Sequence, residues 1–81
     1  MKFFLYHIKS EEGYIYTGQT SSLEQRLIQH NSGKSFYTKR GTNWKLVHFE
    51  EFSSRTEAMK KEKYYKTGKG RDELQKLLSG S

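Results

Sequence analysis

Three sets of side chains have the types and spacing to do chemistry. The first is Glu62, the one acid in a block that carries Lys60, Lys61, Lys63, Lys66, Lys69 and Arg71. At about 100° per residue on a helix, Glu62 shares the side of Ala58 and Tyr65, while Lys60, Lys61 and Lys63 point mostly away. A carboxylate on an apolar stripe is costly unless paired or metal-bound, which makes it a candidate site residue. The plainer reading is an ion pair with Lys66 four residues on, worth a few tenths of a kcal/mol. The second set is Arg26 and His30, four apart and bordering the stripe of Leu23 and Leu27. A planar guanidinium fork beside an imidazole suits a phosphate clamp. The commoner outcome is a solvated face with the Arg26 stem lying over Leu23. The third set is Tyr6 and Tyr16. A phenol with an ordinary pKa of about 10 becomes a base only where nearby cations favour the phenolate, and strand tyrosines usually pack with a wet hydroxyl.

Other chemistries find no support. The chain has no P-loop, dinucleotide fingerprint or HExxH motif. His7, His30 and His48 are scattered without zinc spacing. Asp72 is the sole aspartate, so no aspartate pair could hold two metals. The Ser-rich stretches lack a nucleophile elbow.

The elements that must position these residues follow from local pattern. Phe3 to Ile8 and Tyr14 to Thr17 are aromatic and β-branched runs joined by Ser10-Glu11-Glu12-Gly13, which reads as a β-hairpin stopped at Gly18. Ser21 three residues before Glu24 reads as a capping box, opening a helix whose apolar side is Leu23, Leu27 and Ile28 and whose end is Asn31-Ser32-Gly33. Residues 34–44 read as a basic loop, and Leu46 to Phe52 as a third strand. Ser53 or Ser54 caps a helix running to about Thr67 and stopped by Gly68, with Ala58, Met59 and Tyr65 on one side. A last short helix is expected from about Arg71 to Leu78. The order β-β-α-β-α-α implies an α+β domain, a three-stranded, mostly antiparallel sheet flanked by helices.

Composition bounds the rest. At 81 residues the chain is expected to be one domain spanning 1–81, with a thin core. Its net charge is +6, and 15 % of its residues are aromatic, which argues against disorder despite the high charge. The excess charge is placed in two blocks: Lys34, Lys39, Arg40 and Lys45 with no acid, and the block around Glu62. An anionic partner or a solubility role would explain it. Without cysteine there is no disulfide framework, which fits a reducing, cytoplasmic setting. Phe3 to Ile8, the longest uncharged apolar run, is far below the roughly 20 residues of a membrane span.

Taken together, these residues resemble the GIY-YIG endonuclease superfamily, most closely its small stand-alone members, which look like the N-terminal nuclease domain of the UvrC excision-repair subunit. The first motif falls on Phe4-Leu5-Tyr6 and the second on Tyr16-Thr17-Gly18. The helix motif runs over Leu23 to Asn31, and the glutamate motif over Glu57 to Arg71. Phe4 stands where the first motif has glycine, and Thr17 where isoleucine is usual. Near the last helix, where several members carry an asparagine, the chain has Leu74, Gln75 and Leu77. The resemblance implies a single divalent ion, Mg2+ or Mn2+, held by Glu62, with the scissile phosphate between that ion and Arg26. It implies Tyr6 as the base towards water, assisted by Tyr16 and His30. It also implies DNA as partner, and DNA repair or recombination as a setting. Lys34, Lys39, Arg40, Lys66, Lys69 and Arg71 are then expected to hold the strand backbone, with affinity that falls as salt rises. The runner-up is a nucleic-acid-binding module that keeps the fold with little or no cutting. A basic protein-interaction domain ranks last.

Overall fold

The structure, a computed structural model, describes residues 2–33 and 38–79. Its elements are β1 (Phe3–Lys9), β2 (Ile15–Thr20), α1 (Leu23–Asn31), β3 (Lys45–Phe52), α2 (Arg55–Tyr65) and α3 (Gly68–Ser79). The three strands form one sheet in the order β2-β1-β3, antiparallel throughout. The expected α+β order is therefore observed. Central β1 is the most buried strand, with Leu5, Tyr6, His7 and Ile8 all shielded.

Because side chains alternate across a strand, β1 feeds two cores. Leu5 packs with Tyr65 and Leu74 from α2 and α3, joined by Phe52, Tyr64 and Leu78. On the opposite face Tyr6 and Ile8 pack with Trp44, joined by Tyr16, Leu23 and Leu27. The sheet is thus covered by α2 and α3 on one side and by α1 with the loop before β3 on the other.

Several local expectations are corrected. The cap of α1 is Ser22 rather than Ser21, and it makes no side-chain cap bond. Its backbone N–H instead donates to Thr20 Oγ1 at 3.1 Å, which ties the helix start to β2. Gly33, at φ +78°, ends the helix as expected. Ile28, expected on the apolar side of α1, is exposed, as is Met59 on α2, because neither faces the sheet. Strand β2 runs through Gly18 to Thr20, since Gly18 pairs opposite Tyr6 and Thr20 opposite Phe4. Tyr14 lies outside the strand.

The α2–α3 junction differs most. Ser54 caps α2, accepting from the Glu57 backbone N–H at 3.2 Å. The helix ends at Tyr65, and Gly68 opens α3 instead of stopping α2. Thr67 makes the break: its hydroxyl donates to the Tyr64 carbonyl and accepts from the Gly70 N–H at 3.1 Å. Gly70 is buried so close to the preceding helix that a Cβ there would strike the Tyr64 carbonyl and the Tyr65 backbone. Gly70→Ala should therefore lower stability by about 1–3 kcal/mol, the range for overpacking. Gly68→Ala, which meets nothing within 4 Å, should stay within about 0.5 kcal/mol. Thermal melts of the two variants provide the check.

Candidate active site

The hydroxyl of Tyr6 is the centre of a buried polar cluster on the α1 face. It lies 2.8 Å from His30 Nε2, and Arg26 Nε donates to it at 3.3 Å. The other nitrogen of His30, Nδ1, lies 2.8 Å from Thr38 Oγ1, and Trp44 Nε1 donates to the Thr38 carbonyl at 3.0 Å. Tyr6, His30 and Thr38 are all buried. Asn31, next to His30, locks the same loop by exchanging two hydrogen bonds with the Trp44 backbone. Tyr16 completes the cluster, its ring 5.0 Å from that of His30 and 6.2 Å from that of Tyr6.

Local sequence explains the placement. The period-two alternation of β1 puts Tyr6 on the α1 face, and the i, i+4 spacing puts Arg26 and His30 on one edge of α1. The Tyr6 ring can cross β2 only because its partner there is glycine. A Cβ at Gly18 would lie 2.8 Å from the Tyr6 hydroxyl and 2.9 Å from the Tyr16 ring.

The electrostatics fix the resting protonation. Burial pushes the Tyr6 phenol up to about 12, opposed by the Arg26 hydrogen bond and reinforced by the charge of Glu62. Burial, then the Arg26 charge, pushes His30 down to about 4. The hydrogen bond to Tyr6 holds the Arg26 guanidinium above its ordinary value. At neutral pH His30 is uncharged and Tyr6 is a phenol. The direction of the His30 bonds follows its tautomer: with the proton on Nδ1, Nδ1–H donates to Thr38 Oγ1 and Tyr6 donates to Nε2. The cluster is a buried chain of hydrogen bonds, Thr38 to His30 to Tyr6, bordered by a cation.

Each expected residue can now be placed. Tyr6, Tyr16, Arg26 and His30 are brought together, and the wet Tyr6 hydroxyl and solvated His30 of the plainer readings are corrected. Glu62 sits half-buried on α2, close enough for its charge to act on Tyr6. It also forms the ion pair with Lys66, 2.9 Å from Oε2 to Nζ. Lys66, Lys69 and Arg71 are exposed at the α2–α3 junction, and Lys39 is exposed in the loop before β3. Arg40 stacks over the Tyr14 ring at 4.4 Å, beside the hairpin turn. Lys34 lies outside the described residues. Thr38 and Trp44 were missed by sequence reasoning, because nothing local distinguishes a threonine that orients a histidine eight residues earlier. Gly18 reads in the sequence as a strand end and as part of the second motif, not as the opening beneath the Tyr6 ring.

The donor set can be tested against a divalent ion. Among the described residues no three His, Cys, Asp or Glu side chains are grouped to hold a metal. Glu62 alone fits a hard, hydrated ion such as Mg2+ or Mn2+, which keeps several waters and takes a further oxygen from a phosphate. Lys66 is the group such an ion would displace from Oε2.

Comparison with known proteins identifies the family. The profile of the GIY-YIG catalytic domain matches residues 2–76. The chain is 35 % identical over 80 residues to UPF0213 protein SSP2268 of Staphylococcus saprophyticus, covering 98 % of each chain. It is 42 % identical over 67 residues to UPF0213 protein SH2523 of Staphylococcus haemolyticus, covering 82 % of each. Among solved structures it is similar to the solution NMR structure of UPF0213 protein BH0048 from Bacillus halodurans. That match has a TM-score of 0.59 and 31 % identity, covering 99 % of this chain and 88 % of the other. With the catalytic-domain profile matched over nearly its whole length, the chain belongs to the GIY-YIG family.

Proposed function

We propose that residues 1–81 act as one nuclease domain, a metal-dependent endonuclease that hydrolyses phosphodiester bonds in DNA. The observation that carries this is the Tyr6 hydroxyl, held between Arg26 Nε and His30 Nε2. In this arrangement Arg26 and the positive edge it makes receive the scissile phosphate. Tyr6 accepts a proton from the attacking water as it passes its own to His30 Nε2, and Thr38 holds the imidazole in the accepting tautomer. His30 can accept because its resting state is neutral. Tyr16 packs against both rings. A divalent ion held by Glu62 would supply charge neutralisation at the phosphoryl and departing oxygens.

A DNA-repair or recombination setting rests on the likeness to the UvrC nuclease domain alone. A cytoplasmic location rests on the cysteine-free composition; no helix among the described residues is long and apolar enough to cross a membrane. One observation favours a binding module with little cutting: the Glu62 carboxylate is already paired with Lys66. Incubation with plasmid, branched and single-stranded DNA separates the two. The nuclease should nick DNA with Mn2+ and lose about 10²–10³-fold of that rate on Glu62→Ala, or all of it with EDTA. Cutting that is equal in the variant or in EDTA overturns the metal assignment. Salt-sensitive retention of DNA with no metal-dependent product makes the chain a binder.

A further inference from the structure

The hairpin that carries Tyr6 and Tyr16 also grips, at its turn, the segment that carries Thr38. The turn between β1 and β2 is stiff. Ser10 is buried, its N–H donates to the Tyr14 carbonyl at 2.9 Å, and its hydroxyl accepts from the Tyr14 N–H at 3.0 Å. From this turn the Glu12 carboxylate takes both donors of Thr42, the N–H at 2.9 Å and the hydroxyl at 2.7 Å. The Glu11 N–H donates to the Thr42 carbonyl at 2.8 Å, and the Glu11 carboxylate accepts from Asn43 Nδ2 at 2.9 Å. The bonds from Thr42, hydroxyl first and N–H second, hold the Glu12 carboxyl down to about 2, so this grip is fully charged at neutral pH.

What the turn grips leads directly to His30. Asn43 stands at φ +51°, a left-handed conformation that costs a residue with a side chain free energy and has to be held. Trp44, next in the chain, donates from Nε1 to the Thr38 carbonyl and exchanges two hydrogen bonds with Asn31 at the end of α1. Gly41 donates its N–H to the same Thr38 carbonyl at 3.2 Å, and a Cβ there would strike both Trp44 and Ser10. Residues 38–44 are therefore clamped between the turn and the end of α1. The Thr38 hydroxyl, 2.8 Å from His30 Nδ1, takes its position from that clamp.

We propose that Glu12, assisted by Glu11, is a positioning residue for the Tyr6–His30 pair. Through Thr42 and Asn43 it fixes residues 38–44, which keep the Thr38 hydroxyl on His30 Nδ1 and leave Nε2 to the Tyr6 hydroxyl. One hairpin thus sets both partners of that bond, Tyr6 directly from β1 and His30 by way of the turn. The use of this clamp in catalysis rests on the nuclease assignment; its effect on the imidazole does not.

The test follows the His30 ring by 15N NMR of the full chain, in the natural sequence, Glu12→Ala and Glu12→Gln. In the natural protein a single tautomer is expected, with the proton on Nδ1. Glu12→Ala should give a mixture of the two tautomers. Glu12→Gln, whose amide still reaches the Thr42 N–H and hydroxyl, should keep the single one. Leu78→Ala, which weakens the core on the opposite face of the sheet, should leave the ring unchanged and so separates positioning from lost stability. An unchanged ring in Glu12→Ala, a proton on Nε2 in the natural protein, or the same change in Leu78→Ala overturns the proposal. Thr42→Val, which loses only the hydroxyl bond to Glu12, repeats the comparison if Glu12→Ala does not fold. With DNA and Mn2+, Glu12→Ala should lower kcat about 10-fold, within the ~10²-fold that a misplacement of about 1 Å can cost. KM should change less than about 2-fold, because no substrate contact is removed. A loss carried by KM alone makes Glu12 a binding residue and overturns the positioning role. Failure of the nuclease assignment looks different: no metal-dependent product forms, while the His30 ring still responds to Glu12→Ala.

Discussion

Arg26→Ala should cut DNA about 10²–10³-fold more slowly than the natural protein, the scale for losing one group that stabilises developing charge. Two effects add. In the proposed function the guanidinium is the charged donor that receives the phosphate, and its five N–H donors allow it to hold Tyr6 and Gln29 and still meet one. It is also the hydrogen bond that opposes the burial-driven rise in the Tyr6 pKa. Without it the phenol is harder to deprotonate. Arg26→Lys should restore little, because an ammonium cannot present the same fork to both phenol and phosphate. A reading independent of cleavage is available from His30. Its pKa is pushed down to about 4 by burial first and by the Arg26 charge second, so in Arg26→Ala the imidazole should titrate higher when followed by NMR. An unchanged His30 titration together with unchanged cutting would show that Arg26 does not belong to the cluster.

The second large effect is on stability in mild acid. His7 and His30 are both fully buried and both pushed down to about 4 from an ordinary 6.5. For His7 the causes are burial and then the neighbouring His48, opposed by Glu50. His7 Nδ1 is 2.8 Å from Thr17 Oγ1, its ring is stacked on His48 and edge-on to Tyr65, and its Nε2 has no hydrogen-bond partner among the described residues. The unfolded chain takes up protons on these imidazoles below about pH 6.5, whereas the folded chain resists until about pH 4. Stability therefore is complete above pH 6.5, falls as pH drops through that window, and levels below it. Each histidine can contribute about 3 kcal/mol to the loss. Together that rivals the roughly 5–15 kcal/mol that holds an ordinary domain folded. Urea midpoints at pH 7.5 and pH 5.0 should differ clearly, and His7→Gln should narrow the gap. Midpoints that agree at the two pH values would mean the histidines are not held neutral by burial. Glu12 acts elsewhere. Hydrogen bonds from the Thr42 hydroxyl and backbone hold its carboxyl down to about 2, so what it contributes is lost only at lower pH.

The amino-acid sequence by itself determined the hairpin, the third strand, the helix order and the grouping of cations, because alternation, caps and charge blocks are local properties. It placed Tyr6, Tyr16, Arg26, His30 and Glu62 as candidates through spacing and through likeness to a family. It misjudged the ends of α2 and α3, because Gly70 is there to let two helices touch, and a glycine read locally is only a breaker. It took Ile28 and Met59 for core, because an apolar residue on a helix edge has no local sign of whether the sheet reaches it. Tertiary structure decided the chemistry. Only packing brings Thr38 and Trp44 under His30, dries the Tyr6 hydroxyl and puts Gly18 beneath its ring. The reason is physical: the burial and partners that set what the Tyr6 phenol can do come from residues 12 (Gly18) to 38 (Trp44) positions away in the chain.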